Sequence, residues 1–320
     1  MYQGGSRSRR YFEGWYFKVV DVAGEHPMAV IPGVSFSADG SVSHSFVQLM
    51  TSGGGTRYFA YPASAFTFGR GEFGVKVAGN SFSATGMTLD LADEIGAVTG
   101  EVRFGPLSPW PVKLLSPGIM GPFRFVPAME TYHGIISMDH GVDGAITVDG
   151  RVLSFDGGRG YIEKDWGRSF PSSWVWAQSN AFGRNGVSVT ASVARIPWMT
   201  GAFVGHIAGM LVDGGLHRFA TYTGAKLVSV ETRPDGADIV IRDRREELEL
   251  HLSGAVSGAL KAPTLGSMEG RANESLDGTI DVALRAVRGG RAELLFEGTG
   301  RNAGIEVMND LGELGKGPAG

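Results

Sequence analysis

Apolar and polar residues alternate along most of this chain with a period of two, in short runs ended by glycine, aspartate or asparagine. Alternation puts successive side chains on opposite faces, so each run predicts a strand with one face toward a core. Such runs fall at 12–22, 43–50, 73–78, 100–104, 132–139, 187–194 and 218–222. Residues 237–253 read as a longer strand pair, or as a strand entering a charged turn at 242–247. A hairpin is expected from 279–286 and 292–298 across 288–291, with 303–308 as a last strand. Asp39-Gly40, Asp143-Gly144, Asp149-Gly150, Asp213-Gly214, Asp235-Gly236 and Asp277-Gly278 mark turns, since glycine supplies positive φ. No long segment carries helical periodicity. The expected fold class is all-β, built of antiparallel strands in barrels or sandwiches.

One connection departs from the pattern. Residues 105–129 hold six of the fourteen prolines, which keeps them out of a sheet ladder, yet they carry Leu107, Trp110, Leu114, Leu115, Ile119, Met120, Phe123 and Phe125. Either the segment packs across an open barrel end or between domains, or it forms an apolar lid or a surface that touches lipid. The strand pattern breaks again at 170–173, which divides the chain into expected domains of 1–170 and 171–320. Residues 1–9 and 312–320 read as frayed tails.

Composition narrows the function. Fifty glycines and a charged share of 19% fit many tight turns, the usual charged share being roughly a quarter. A net charge of −4 argues against a nucleic-acid partner, and the basic run 6–10 is too short to outweigh it. The chain has no cysteine, so disulfides, thiolate nucleophiles and Cys-based zinc sites are excluded. No apolar signal segment is visible, and the nearly uncharged run 196–212 is broken by Pro197, Gly201, Gly205 and Gly209, so it reads as strand–turn–strand. The expectation is a soluble, cytoplasmic protein.

The chemistry concentrates in 160–182, where three of the six tryptophans (Trp166, Trp174, Trp176) surround Glu163, Lys164, Asp165 and Arg168. A carboxyl walled by indoles is costly to ionise, which suits a general acid for apolar substrates; the plainer reading is an ion pair sealing a barrel end. Alternation puts Tyr161, Glu163 and Asp165 on one face, opposite Lys164 and Trp166, and aligns Trp174, Trp176, Gln178 and Asn180 on another. Buried amides need partners, so that second face suits a lumen for an apolar ligand with one polar end. Tyr11, Glu13 and Trp15 form a similar face, where Glu13 either joins a site or pairs with Lys164 or Arg168. His133 could titrate usefully beside Glu130 and Tyr132. The seven histidines are scattered, no pair showing ligand spacing with carboxylates on its face, so no metal site is expected. No nucleophile elbow, Walker loop or dinucleotide fingerprint is present.

The motifs FEGWYFK (12–18), METYHGIISM (129–138), GYIEKDWGRSFPSSWVWAQSNAF (160–182) and RFATYTGAK (218–226) resemble the tocopherol cyclase family, its bacterial branch more than its plant enzymes. The family is related to carotenoid hydratase and AttH-like proteins, which are similar to two packed lipocalin-like antiparallel β-barrels. In those relatives a DHEW-like motif stands where Lys164-Asp165-Trp166 stands here, with its acid acting on an alkene. The resemblance therefore implies Asp165 as the acid, Glu163 second, with an Asp in place of the relatives' Glu and one methylene less reach.

What this implies is a cofactor-free cyclisation of a prenylated hydroquinone or similar isoprenoid by alkene protonation. It needs a protonated carboxyl, aromatic faces beside the developing cation and a dry cavity. Tyr161, Trp166, Trp174 and Trp176 would wall the substrate, and Gln178, Asn180 or His133 would orient a hydroxyl, with Glu13 and Trp15 in the binding set. The partner is an apolar small molecule, with peripheral membrane contact through 105–129. Two alternatives stay open: a non-catalytic carrier of a lipid or isoprenoid, and a hydratase or isomerase on an apolar alkene.

Overall fold

The computed structural model describes residues 1–314 except 115, 128, 199–200, 255–257, 290 and 310–311. The chain is all-β and forms two compact units. The first comprises Met1–Pro111, Met129–Phe170 and Ala259–Arg271; the second comprises Val112–Ala128, Pro171–Gly258 and Ala272–Gly320. One crossing lies between Phe170 and Pro171, while 112–128 and 259–271 each join the unit opposite to the expected halves. Side-chain bonds explain the second exchange. The Gln48 amide donates to the Lys261 carbonyl at 3.0 Å and accepts from the Lys261 N–H at 2.8 Å, and the Lys261 ammonium lies 4.1 Å from the Tyr58 ring centre.

In the first unit an antiparallel sheet of twelve strands, among the described residues, has Tyr11–Val20 and Gly158–Gly167 side by side at its middle. Met28–Phe36, Ser43–Thr51 and Gly55–Pro62 follow on one side, and Thr131–Val148, Ala97–Phe104 and Gly86–Ala92 on the other. Strands from both halves bury apolar residues in one core, with Trp15, Phe17, Val30, Leu49, Phe82, Leu89, Val102, Ile146 and Ile162 all at 2% exposure or less. The sheet must therefore curl round that core, as its right-handed twist favours.

In the second unit an antiparallel sheet places Trp174–Ser179 between Ser188–Trp198 and Arg291–Met308. Its core takes Val175, Val189, Met210, Phe219, Ile239, Leu250, Val282 and Ile305. Val175 and Ala177 face that core, which sends Trp174, Trp176 and Gln178 to the other side of the sheet.

Several local expectations change. Asp149-Gly150 and Asp213-Gly214 are two-residue hairpins with both residues at positive φ, closed by Val148↔Arg151 and Val212↔Gly215. Gly236 and Gly278 are needed for a different reason: a Cβ would fall 1.9 Å from the Leu252 carbonyl oxygen at the first and 2.5 Å from Ile305 Cδ1 at the second. Residues 292–298 and 303–308 are one bulged strand, Arg291–Met308. The prolines of 105–129 keep it out of both large sheets, leaving a short ribbon (Val112–Lys113 with Ser116–Pro117) and the 3₁₀ turn Gly121–Phe125; Leu115 lies outside the described residues. Neither expected tail is free over its described part: residues 1–4 are hydrogen-bonded, as set out below, and Glu313 pairs with Arg195 at 3.2 Å. Residues 315–320 lie outside the described residues. No helix among the described residues is long and apolar enough to cross a membrane.

Candidate functional site

The central strand pair of the first unit carries polar groups on both faces, and the register assigns each to its side. Glu13↔Trp166 and Trp15↔Lys164 share one face, turned toward the core, while Gly14↔Asp165, Tyr16↔Glu163 and Lys18↔Tyr161 share the other. The neighbouring strand Thr131–Val148 adds His133 opposite Asp165 on that second face.

On the second face the groups form a chain. Tyr161 donates its hydroxyl to Glu163 Oε2 at 2.5 Å, His133 Nε2 lies 3.6 Å from the same oxygen, and His133 Nδ1 sits 2.8 Å from Asp165 Oδ1. One donor atom from each of His133, Glu163 and Asp165 lies within 4.8 Å of the other two. Sequence spacing gives no sign of this cluster, which holds one histidine and not a pair: strand pairing brings His133 to a partner 32 residues away. The three could hold a metal ion, but each imidazole nitrogen is directed at a different carboxylate, which is the arrangement for sharing and passing protons. Glu163 and Tyr161 are buried and Asp165 is half-buried. Gly14 leaves the cross-strand position beside Asp165 without a side chain, and a Cβ there would meet only ordinary contacts, at 3.7 Å from Ile31 Cγ2. Sequence reasoning missed Gly14, although it sits in the FEGWYF motif; only the register shows what its missing side chain adjoins.

On the first face Glu13 and Lys164 form a buried ion pair at 2.6 Å, so the pairing reading of Glu13 holds. The Lys164 ammonium also lies 5.2 Å from the Trp15 ring centre and 4.7 Å from that of Trp166. The Glu13 carboxylate accepts from the Tyr11 hydroxyl and from the Gln3 and Gly4 N–H groups. Burial, then the Glu13 charge, raises the Tyr11 phenol far above its ordinary value. Glu13, Trp15 and Trp166 thus lie across the sheet from Asp165 and cannot wall the same substrate, which corrects the single binding set expected from sequence.

Trp174, Trp176, Gln178 and Asn180 belong to the second unit and are all buried there. Trp174 Nε1 donates to Glu306 at 2.5 Å, and the register sets Trp176 and Glu274 on either side of Glu306. These two acids were also missed: the alternation predicted a strand at 303–308 around Glu306, but none at Glu274, and not the pairing with tryptophan. A cleft of about 510 Å³ in the same unit is lined by Asp238, Glu249, His251, Asp281, Arg285 and Glu297.

Residues 72–309 match the family described as Tocopherol cyclase-like. The chain belongs to that family. The match covers the His133, Glu163 and Asp165 cluster and runs further toward the C-terminus than the motifs 12–18 to 218–226, but leaves Gly14 and Glu13 outside it. A probable chloroplastic tocopherol cyclase of Oryza sativa subsp. japonica is 28% identical over 185 residues, 55% of this chain and 39% of that protein. The chloroplastic tocopherol cyclase of Zea mays is 29% identical over an equal share. The aligned part thus spans well under half the length of these relatives. Among solved structures, CghA with Sch210972 superposes with a TM-score of 0.56 at 12% identity, covering 93% of this chain and 88% of its own. Kievitone hydratase from Nectria haematococca gives 0.53 at 11%, covering 92% and 88%, and a putative AttH from Nitrosomonas europaea gives 0.51 at 13%, covering 93% and 92%. At these identities the likeness is one of fold.

Proposed function

We propose that this chain is an acid-catalysed enzyme acting on an apolar alkene, with a prenylated hydroquinone or similar isoprenoid as substrate class and ring closure as the outcome. The observation that supports it most is the His133–Asp165 contact at 2.8 Å, which lies on the strand bearing the family's motif.

In this reading Asp165, the half-buried carboxyl beside Gly14, delivers a proton to the less substituted alkene carbon. A tertiary cation forms, the phenol oxygen attacks it, and the phenol proton passes to a carboxylate, so the product is an isomer of the substrate. His133 holds Asp165 through Oδ1 and is a positioning residue. Glu163, fixed by the Tyr161 hydroxyl, takes the released proton, and protons return to Asp165 through the imidazole. The step is redox-neutral. A carrier without turnover is the second reading, favoured by the Glu13–Lys164 pair, which ties a carboxylate of the expected binding set into an ion pair. Peripheral contact with a membrane through 105–129 is part of the proposal.

The test is incubation with a panel of prenylated hydroquinones, scored for chromanol by mass spectrometry, beside Asp165→Asn. Product from the unaltered chain and at least a hundredfold less from Asp165→Asn supports the acid; equal product from both removes Asp165 from the mechanism. Substrate retained stoichiometrically by both without product supports the carrier.

A further inference from the structure

Residues 1–4 occupy the first unit as a ligand would. The Gln3 N–H donates to both Glu13 oxygens at 3.1 and 2.8 Å, the Gly4 N–H donates to Oε2 at 3.1 Å, and the Met1 carbonyl accepts from Lys164. Between these peptide groups the Tyr2 ring packs on Tyr11, Phe66 and Phe68, at 6.3, 5.3 and 4.5 Å between ring centres. Tyr2 is half-buried, and its hydroxyl is pushed up to about 12, first by burial and then by the Glu13 charge. The groups beneath belong to the folded sheet: Glu13 and Trp15 are fully buried, and Lys164 nearly so. Trp15 Nε1 has no acceptor within reach among the described residues, so the pocket holds one more donor than residues 1–4 satisfy. Phe66 stacks on the Trp15 indole, which gives the pocket flat aromatic walls.

A buried ion pair persists only when its remaining donors and acceptors are met. Here part of that demand is met by a short segment outside any strand, through one carbonyl and two N–H groups flanking one aromatic ring. A separate molecule with that pattern could replace it group for group. We propose that the pocket under residues 1–4, walled by Trp15, Phe66 and Tyr11 and based on Glu13 and Lys164, is a binding site for an aromatic amide: a flat ring flanked by a carbonyl and an N–H at dipeptide spacing. Residues 1–4 are its tethered competitor. This site lies across the sheet from Asp165 and does not depend on the reaction proposed there.

N-acetyl-L-tyrosinamide is the matching probe, its acetyl carbonyl standing for that of Met1, its phenol for Tyr2 and its amide N–H for Gln3. A tethered competitor acts at an effective concentration of order millimolar, so releasing it raises the apparent affinity for the free probe. By calorimetry, the full chain carrying Tyr2→Ala and Gln3→Pro binds the probe at least tenfold more tightly than the unaltered chain. Adding Glu13→Gln and Lys164→Met to that background abolishes the gain. A second measurement needs no variant: in the unaltered chain, millimolar probe speeds hydrogen exchange at the Gln3 and Gly4 amides. Affinities within twofold for the released and unaltered chains, or exchange at those amides unmoved by the probe, would overturn the proposal.

Discussion

Lowering the pH from about 7 to about 5 should destabilise each unit through one buried histidine. His140, in the first unit, is 2% exposed; burial, with the Arg159 charge second, lowers it to about 3. His206, in the second, is 5% exposed and lowered by burial to about 4. Both are thus neutral when folded, whereas an unfolded histidine takes up its proton near its ordinary pKa of about 6.5. Below about 6.5 the unfolded chain binds a proton that the folded chain refuses, so stability falls with pH until the folded group titrates in its turn. At roughly 1.36 kcal/mol per pH unit, the loss at about pH 5 is about 2 kcal/mol for each histidine. The assay is urea unfolding at both pH values for the unaltered chain and for His140→Phe. Phenylalanine keeps a ring against Phe104, which lies 4.7 Å from the imidazole, though it loses the 3.0 Å bond to Ser137. That loss lowers stability at every pH and cancels in the difference, so His140→Phe should be about 2 kcal/mol less sensitive to the change. A variant that loses as much stability between the two pH values as the unaltered chain would refute the reasoning.

Three further outcomes follow from the same geometry. Glu13→Gln strands the buried Lys164 ammonium and costs about 3–5 kcal/mol in chemical denaturation, while adding Lys164→Met restores most of it; additive losses would show that the 2.6 Å pair is not coupled. Gly14→Ala keeps the fold, because a Cβ meets only ordinary contacts there, but puts a methyl beside Asp165 and lowers turnover severalfold with the melting temperature within a few degrees. Val112, Leu114 and Phe125 are 75%, 90% and 65% exposed, so their joint change to serine abolishes flotation with anionic liposomes if 105–129 touches lipid; Trp110 is buried, and Phe123 packs on Trp198, Phe203 and Tyr222, so neither is the residue to change.

Strand existence was legible because alternation and Asp-Gly turns are local signals, and both act within a few residues. Asp149-Gly150 and Asp213-Gly214 form the turns expected of them. The exchange of 259–271 into the first unit was not legible, because it depends on Lys261 meeting Gln48 and Tyr58, a pairing across 213 residues that no local pattern encodes. The same limit hid Gly236 and Gly278, which look like turn glycines but are required by the close approach of another strand.

The candidate site shows where alternation stops being enough. It correctly separated Glu163 and Asp165 from Lys164, which keeps the Lys164 ammonium on the other face, because face assignment within one strand needs only the period of two. It also grouped Trp166 with Lys164, but could not tell that this face meets Glu13 and turns toward the core while His133 joins Asp165, since that requires the register between strands. Register is set by the whole hydrophobic pattern, and a slip of one residue would exchange every partner. His133 is the clearest case. Its ring lies against Asp165 because Tyr132 stacks on Trp166 one position away, at 5.5 Å and 9° between the rings, so that aromatic pair on the core face holds the polar pair on the other in register. Tyr132 and Trp166 are therefore part of the proposed acid's machinery without lying on its face.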